Sequence, residues 1–377
     1  MKKKLANYCL NGFINITILI ATIFLVLVAA EIYLRTFYVR SFHPAPEITR
    51  AYMPDPELIY FPRPSRLEKN MWGFITNSIG LKNEEVLSKS QGSFRIIALG
   101  DSFTHGHLMK FEESYPKALE HLLKSNGKTN VEVINAGVPG YGPDQEYKLF
   151  TERLVKLNPD LLLVVLGYGD ITWDGVQKSL FTIKNGQLVP LDAKKHWLYI
   201  QGVLFQSAPD WLGRSHLFDY VLTSLEGRDL FGLNPKLKEE ELWEWSSDKI
   251  IKEMVNLDRL GKEKGFKLIV VIHPISSRLN VDERFSENYY VPVLEKVEKE
   301  LIKNGIDFTD MNEVLLSLFS TYPQKPLPMD QGVLGERTSN YQELFMMNED
   351  TGERHLSVLG NEVFAELTFR EIQKYIP

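Results

Sequence analysis

The chain has 377 residues, with 43 Lys and Arg against 49 Asp and Glu and a net charge of −6, which is length enough for one large domain or two small ones. Without a basic block, that balance argues against a nucleic-acid surface, and no nucleic-acid partner is expected. The single cysteine, Cys9, precedes the first hydrophobic run, which excludes both a disulfide within the folded part and a cysteine-based metal site.

Lys2, Lys3 and Lys4 precede an apolar run from Phe13 to Ala30, interrupted only by Asn15, Thr17 and Thr22, near the length that spans a bilayer. The lysines outweigh Arg35 and Arg40 beyond the run, so the positive-inside tendency places the amino terminus in the cytoplasm and the remainder outside. The expected order is a cytoplasmic tail at 1–9, a single-pass transmembrane anchor at 10–34, a connector at 35–91 and a main domain at 92–377. Val28-Ala29-Ala30 also fits a small-residue cleavage site, which would make the segment a removable signal peptide.

In the connector, His43-Pro44-Ala45-Pro46, Pro54-Asp55-Pro56 and Pro62-Arg63-Pro64 prevent a long helix. Trp72 to Ile75, followed by Asn77-Ser78-Ile79-Gly80, reads as a short strand and turn. Leu58, Ile59, Tyr60, Phe61, Trp72 and Phe74 are too dense for a disordered tether, so the connector is expected to pack on the main domain.

The main domain alternates strands and helices. Strands are expected at Phe94 to Leu99, Val131 to Asn135, Leu161 to Leu166, Lys267 to Ile272 and Ile306 to Phe308. Helices are expected at Glu112 to Lys124, Asp144 to Leu157, Ser247 to Lys264, Val291 to Lys303 and Val358 to Tyr375. Apolar strands separated by amphipathic helices predict a flavodoxin-like three-layer α/β/α domain with a mainly parallel five-stranded sheet. An irregular insertion at about 172–245 holds Trp173, Trp197, Trp211, Trp243 and Trp245, either as a lid or substrate platform or as a satellite core.

In such sheets reactive groups collect at the carboxyl ends of the strands. Four stretches fall there or on the last loop: Gly100-Asp101-Ser102-Phe103, Asn135-Ala136-Gly137-Val138-Pro139-Gly140, Gly167-Tyr168-Gly169-Asp170 and His355-Leu356-Ser357-Val358-Leu359-Gly360. A turn serine or aspartate can simply cap the following helix. Alternatively, Ser102 can act as a nucleophile if a histidine at the same sheet edge removes its proton. The N–H groups of Ser102 and Gly137 are candidate oxyanion donors. No G-x-S-x-G elbow occurs, against the α/β-hydrolase arrangement. His105 and His107 form an H-x-H without a further ligand cluster of metal-like spacing, so no metal is expected. His273 is a loop residue or a substitute base, and Asp170 is suited to brace a loop through backbone hydrogen bonds.

These four stretches resemble the sequence blocks of the SGNH hydrolases, or GDSL-type esterases and lipases, over roughly Gln91 to Pro377. The connector's Asn77-Ser78-Ile79-Gly80-Leu81-Lys82 resembles a segment that precedes the domain in membrane-anchored bacterial members. By that resemblance Ser102 is the nucleophile, Gly137 an oxyanion donor and His355 the base. Two positions depart. The G-x-N-D block has Gly169 where the family has an asparagine donor, followed by the expected Asp170, and Tyr168, Thr172 or a backbone N–H are the candidate replacements. The family aspartate three residues before the histidine is replaced by Gly352, leaving Asp350 or Glu353 to orient His355. The implied function is a membrane-anchored serine esterase acting on O-acyl esters of cell-envelope glycans or lipids, without a cofactor. The alternatives are an O-acyltransferase using the same serine, or a non-catalytic relative that binds a glycan or a membrane acyltransferase partner.

Overall fold

The computed structural model describes residues 2–37, 51–65, 76–107, 109–167, 170, 175–176, 178–225, 230–233, 235–273, 287–315, 344–347 and 354–377. The expected strand at Trp72 to Ile75 lies outside these residues.

The apolar runs form one parallel sheet. Strands β3 (Phe94–Gly100), β4 (Val131–Gly137), β5 (Leu161–Leu166), β8 (Lys267–Ile272) and β9 (Asp307–Asp310) lie in the order β4-β3-β5-β8-β9. Every pairing is parallel, and Gly100 sits opposite Gly137 at the shared carboxyl edge. Alternate side chains feed two cores. Ile97, Leu99, Leu162, Val164 and Val270 pack on one face with Ile250, Met254 and Leu257 of α8 (Glu239–Lys264) and Leu294 and Val297 of α9 (Glu287–Lys303). On the other face Ile96, Ala98, Leu163, Val165 and Ile269 meet Tyr115, Leu119 and Leu123 of α3 (Tyr115–Ser125) and Phe364 and Leu367 of α10 (Val358–Ile372). The fold is therefore the three-layer α/β/α arrangement that the alternation of apolar runs predicts.

Element limits differ from the pattern in two informative places. The helix expected over Asp144 to Leu157 is α4 (Pro143–Leu149), continued by a wide π turn at Phe150–Leu154 and a tight 3-10 turn at Val155–Leu157. Asn158, at φ 53°, ends it. Helix α8 starts at Glu239 rather than Ser247, because Glu241 accepts the Lys238 N–H (3.0 Å) and closes the first turn.

Upstream, strands β1 (Tyr52–Asp55) and β2 (Ile59–Pro62) form an antiparallel hairpin whose turn N–H groups, from Glu57 and Leu58, donate to Asp55. Leu58, Ile59 and Phe61 are buried in the first core, and Arg153 reaches Asp55 at 2.7 Å. Helix α1 (Lys2–Phe37) is long and apolar enough to cross a membrane over Asn11–Phe37, where its large apolar side chains stand exposed except for Leu34.

The insertion is regular rather than irregular. Strands β6 (Phe181–Lys184) and β7 (Gln187–Pro190) form a two-residue hairpin in which Asn185 and Gly186 both have positive φ, the turn chemistry of type I′. Helices α5 (Trp197–Ser207), α6 (Asp210–Gly213) and α7 (His216–Thr223) follow. A buried ion pair fixes the root of the insertion. Lys249 Nζ lies 2.8 Å from Asp144 and also donates to Gly175 O and Ser179 Oγ, both at 2.8 Å. Asp144 accepts the N–H groups of Leu180 and Phe181.

Candidate active site

The turn after β3 is shaped by contacts that leave no room for side chains. A Cβ on Gly100 would collide with Thr104, and one on Gly137 with the backbone of His105. The chain therefore turns sharply into the short helix α2 (Ser102–His105), and Asp101 caps it by accepting the Phe103 N–H at 2.8 Å. The aspartate is thus the cap, which leaves the serine hydroxyl to face outward from the strand end.

His355 reaches that hydroxyl, with Nε2 3.0 Å from Ser102 Oγ. It sits in β11 (Arg354–Leu356), which pairs antiparallel with β10 (Phe345–Met347). Ser357 then caps α10 by accepting the Gly360 N–H at 3.0 Å and anchors itself by donating its own N–H to Leu344 O at 2.8 Å. Asn361 ties α10 to α3 by accepting the Tyr115 N–H at 3.0 Å. A residue far along the chain is thereby held against the first strand's turn.

Burial pushes the His355 imidazole down to about 4, so it is neutral near pH 7 and able to accept a proton. Its Nδ1 has no hydrogen-bond partner among the described residues. Asp350, Gly352 and Glu353 lie outside them. So do Tyr168, Gly169 and Thr172, which bear on the third block.

Asp170 is fully buried and accepts the Gly167 N–H, bracing the exit from β5. The other histidines play different parts. His273 meets Phe103 with ring centroids 3.7 Å apart and planes tilted by 47°, and Phe103 in turn stacks 5.1 Å from His355. It therefore packs against Phe103 while His355 holds the serine. His107 lies 5.1 Å from the His355 ring, and burial with the His355 and Lys82 charges holds it near 3. His105 is buried, and desolvation with Lys82 also drives it well down.

Gly137 differs from the expectation. Its N–H donates to Asn135 Oδ1 at 3.0 Å, so it is committed and does not point to an oxyanion. The other candidate donors at this edge are the N–H groups of Ser102, in the first turn of α2, and of Gly140. Gly140 is the third residue of a Val138-Pro139-Gly140-Tyr141 turn closed by Tyr141 N–H to Val138 O at 3.1 Å, with φ 72°. Proline second and glycine third are what a type II turn requires. Tyr60 of β2 donates to Pro139 O (3.0 Å) and Lys178 to Gly140 O, which pins the turn from outside.

The connector carries residues that the spacing did not single out. Lys82 is buried, with Nζ donating to Gly106 O (3.0 Å) and Met109 O (2.7 Å), and burial lowers it to about 8. Asn83 accepts the Asn135 N–H at 3.1 Å. The Asn77 to Asn83 stretch therefore clamps the loop behind Ser102 and the strand that leads to Gly137. The available signal was a lysine directly after Ile79-Gly80-Leu81 in a turn-forming segment.

No family model matches the chain. Over 81 residues it is 35% identical to an arylesterase from Vibrio mimicus, a match covering 22% of this chain and 40% of that protein, so the chain spans under half the length of this curated relative. Among solved structures it is similar to a psychrotrophic esterase from Pseudoalteromonas sp., with 11% identity, a TM-score of 0.40 and coverage of 74% of this chain and 97% of that one. It is also similar to a GDSL-like lipase from Bacteroides thetaiotaomicron, with 13% identity, a TM-score of 0.37 and coverage of 77% and 92%.

Proposed function

We infer that this chain is an SGNH hydrolase of the GDSL type, an esterase in which Ser102 attacks acyl esters and His355 is its base. The observation that carries the reading is the 3.0 Å contact between His355 Nε2 and Ser102 Oγ at the carboxyl edge of the sheet, within hydrogen-bond reach of a nucleophile and its base. In the first step Ser102 Oγ bonds to the ester carbonyl carbon and its proton passes to His355 Nε2. The resulting oxyanion is held by the Ser102 and Gly140 N–H groups. Collapse breaks the bond to the alcohol oxygen, which takes the proton back from His355. Water then attacks the acyl-enzyme, again with His355 as base, and releases the acid. The imidazolium formed on the way needs an acceptor at Nδ1, and Asp350 or Glu353 is the residue proposed for it, in the orienting role of a triad carboxylate.

Helix α1 anchors the enzyme with its main domain outside the membrane, in keeping with the lysines before it and its length. The proposed substrates are O-acyl esters of cell-envelope glycans or lipids. Hydrolysis is the simpler outcome, and a sugar hydroxyl in place of water, or delivery by a membrane acyltransferase partner, would turn the same intermediate into transfer. The test is labelling with a fluorophosphonate. Labelling of the parent that disappears in Ser102→Ala, together with loss of acyl-ester hydrolysis, supports the mechanism. An unlabelled parent whose Ser102→Ala variant is equally active rejects the mechanism, and an unlabelled parent without acyl-ester hydrolysis favours a binding protein.

A further inference from the structure

Two helices of the insertion carry apolar side chains on two faces: Leu198 and Tyr199 of α5 pack on the first core and Leu222 of α7 is buried, while a second apolar set points outward. The one buried side chain of α5 is Gln201, 7% exposed, while its neighbours Val203 and Leu204 stand 37% and 41% exposed. Helix α7 buries Asp219 completely beside Leu222 and leaves Tyr220 and Val221 45% and 48% exposed. Helix α6 between them holds Trp211 at 73%, and Leu230 and Phe231 beyond α7 are also exposed. In water a surface helix turns its apolar stripe inward. A second, outward apolar face above buried polar side chains such as Gln201 and Asp219 is instead suited to contact with lipid.

The position of this face identifies what covers it. The carboxyl end of α1 docks on the start of α7, where Glu31 accepts hydrogen bonds from Ser215 Oγ (2.7 Å), His216 N (3.0 Å) and Leu217 N (2.9 Å). Leu34 is buried at the same junction. A hydrocarbon layer of about 30 Å takes roughly 20 helical residues, so a span that begins near Phe13 reaches its far boundary near Ile32. Glu31, and with it the first turn of α7, then stands at the membrane surface. Tryptophan and tyrosine are the residues that favour that zone.

We propose that the outer face of α5, α6 and α7 lies in the headgroup region of the bilayer that α1 crosses, as a second, interfacial contact beside the transmembrane one. The face resembles an amphipathic helix lying in the membrane plane, but here it is held by a folded core. Phe205 meets Phe218 edge to face at 5.1 Å, Trp197 Nε1 donates to Leu222 O at 2.8 Å, and Gly202 lets α5 close on Pro54 of the β1–β2 hairpin. The same hairpin carries Tyr60, which holds the Pro139-Gly140 turn. The lipid contact is thus joined through packed elements to the edge of the site, and it favours acyl esters presented at the membrane surface. The proposal rests on the reading of α1 as a retained anchor.

The experiment uses the full chain in a Cys9→Ser background, reconstituted without other protein into phosphatidylcholine vesicles. Single-cysteine variants Leu204→Cys, Trp211→Cys and Val221→Cys carry a polarity-sensitive fluorophore, and lipids bearing a nitroxide either near the headgroup or deep in the acyl chain serve as quenchers. Phe24→Cys in α1 and His121→Cys on α3, on the other face of the sheet, are the references. The expected result is a blue shift and loss of most emission at 204, 211 and 221, with deep-nitroxide quenching at 24 and none at 121. Quenching at 24 without quenching at 204, 211 and 221 overturns the proposal and leaves the face for a protein partner. Absence of quenching at 24 rejects the anchor itself, and the proposal with it. Equal quenching at 121 marks general adhesion and also overturns it.

Discussion

In β5 every side chain from Leu161 to Leu166 is buried, and on the same side of the fold Lys249 is paired with Asp144. In α5 to α7 the burial is mixed, with Gln201 and Asp219 inside beside Leu222, and Trp211, Leu204 and Val221 outside. The two regions share a chain and a packed boundary but answer to different surroundings. Burial in the sheet region excludes water and positions a site, whereas in the insertion the outward apolar side chains are left where only lipid or another apolar surface would cover them. A substitution should therefore be costly in the first region and nearly silent in the second when no membrane contact is scored.

The site edge is the most sensitive part of the first region. His355→Gln should lower kcat on a chromogenic acyl ester by about 10⁴-fold or more, as loss of a triad histidine does, while circular dichroism and urea midpoint stay close to the parent. A drop of only a few fold would remove His355 from the reaction and shift attention to the other histidines. Next in size is the root of the insertion. Lys249→Met removes a charge from a pair whose side chains are 0% and 2% exposed, leaving Asp144 buried without its cation, which costs about 3–5 kcal/mol. Urea unfolding should show it, and a loss under about 1 kcal/mol would mean that the pair is not the clasp between the two regions.

The pH response separates the chemistry from the stability of the same residue. With His355 held near 4 by burial, kcat/KM should stay level on going down to about pH 5 and then fall roughly tenfold per unit below the folded value. An acid limb near the unperturbed histidine value of about 6.5 would instead place a carboxylate behind Nδ1 and favour Asp350 or Glu353. Stability follows a different window. The folded imidazole is depressed, so its contribution is present above the unfolded value of about 6.5 and is lost as pH falls through the folded value. Over that interval the unfolded chain binds more protons and stability rises with pH. His107, held near 3, contributes with the same sign.

Much of the sheet was legible because each strand is a short run of β-branched and leucine residues bounded by glycine or polar turns, a signal that full burial on both faces produces directly. Ser102 and His355 were legible as chemistry at strand ends and on the last loop. The hydrogen bond between them was not, because it depends on how β11 and α10 fold back on the first turn. Gly137 illustrates the limit in one atom. Its position at the edge of β4 was readable, but the direction of its N–H is set by the Asn135 side chain two residues earlier. Lys82 was missed for a related reason, since a lysine in a turn reads as solvated until the carbonyls of Gly106 and Met109 are brought around it. The insertion's exposed apolar face was invisible in composition, which counts tryptophans without saying which way they face.

The smallest expected effect is the most discriminating for the comparison. Trp211→Ser deletes a large aromatic side chain, a change that in a sheet core would cost about 3–5 kcal/mol. At 73% exposure the ring contributes little to packing, so urea unfolding of the full chain in mild detergent should shift by no more than about 0.5 kcal/mol. Gln201→Leu makes the opposite change at the buried position of α5, removing a polar group from the interior, and it tests whether that interior is organised around polar contacts. If Gln201 holds the helix against its neighbours, the variant loses stability despite its greater hydrophobicity, because the groups it served are left without partners. A stabilised Gln201→Leu together with a destabilised Trp211→Ser would mean that the insertion buries apolar surface as the sheet does, and the contrast between the two regions would disappear.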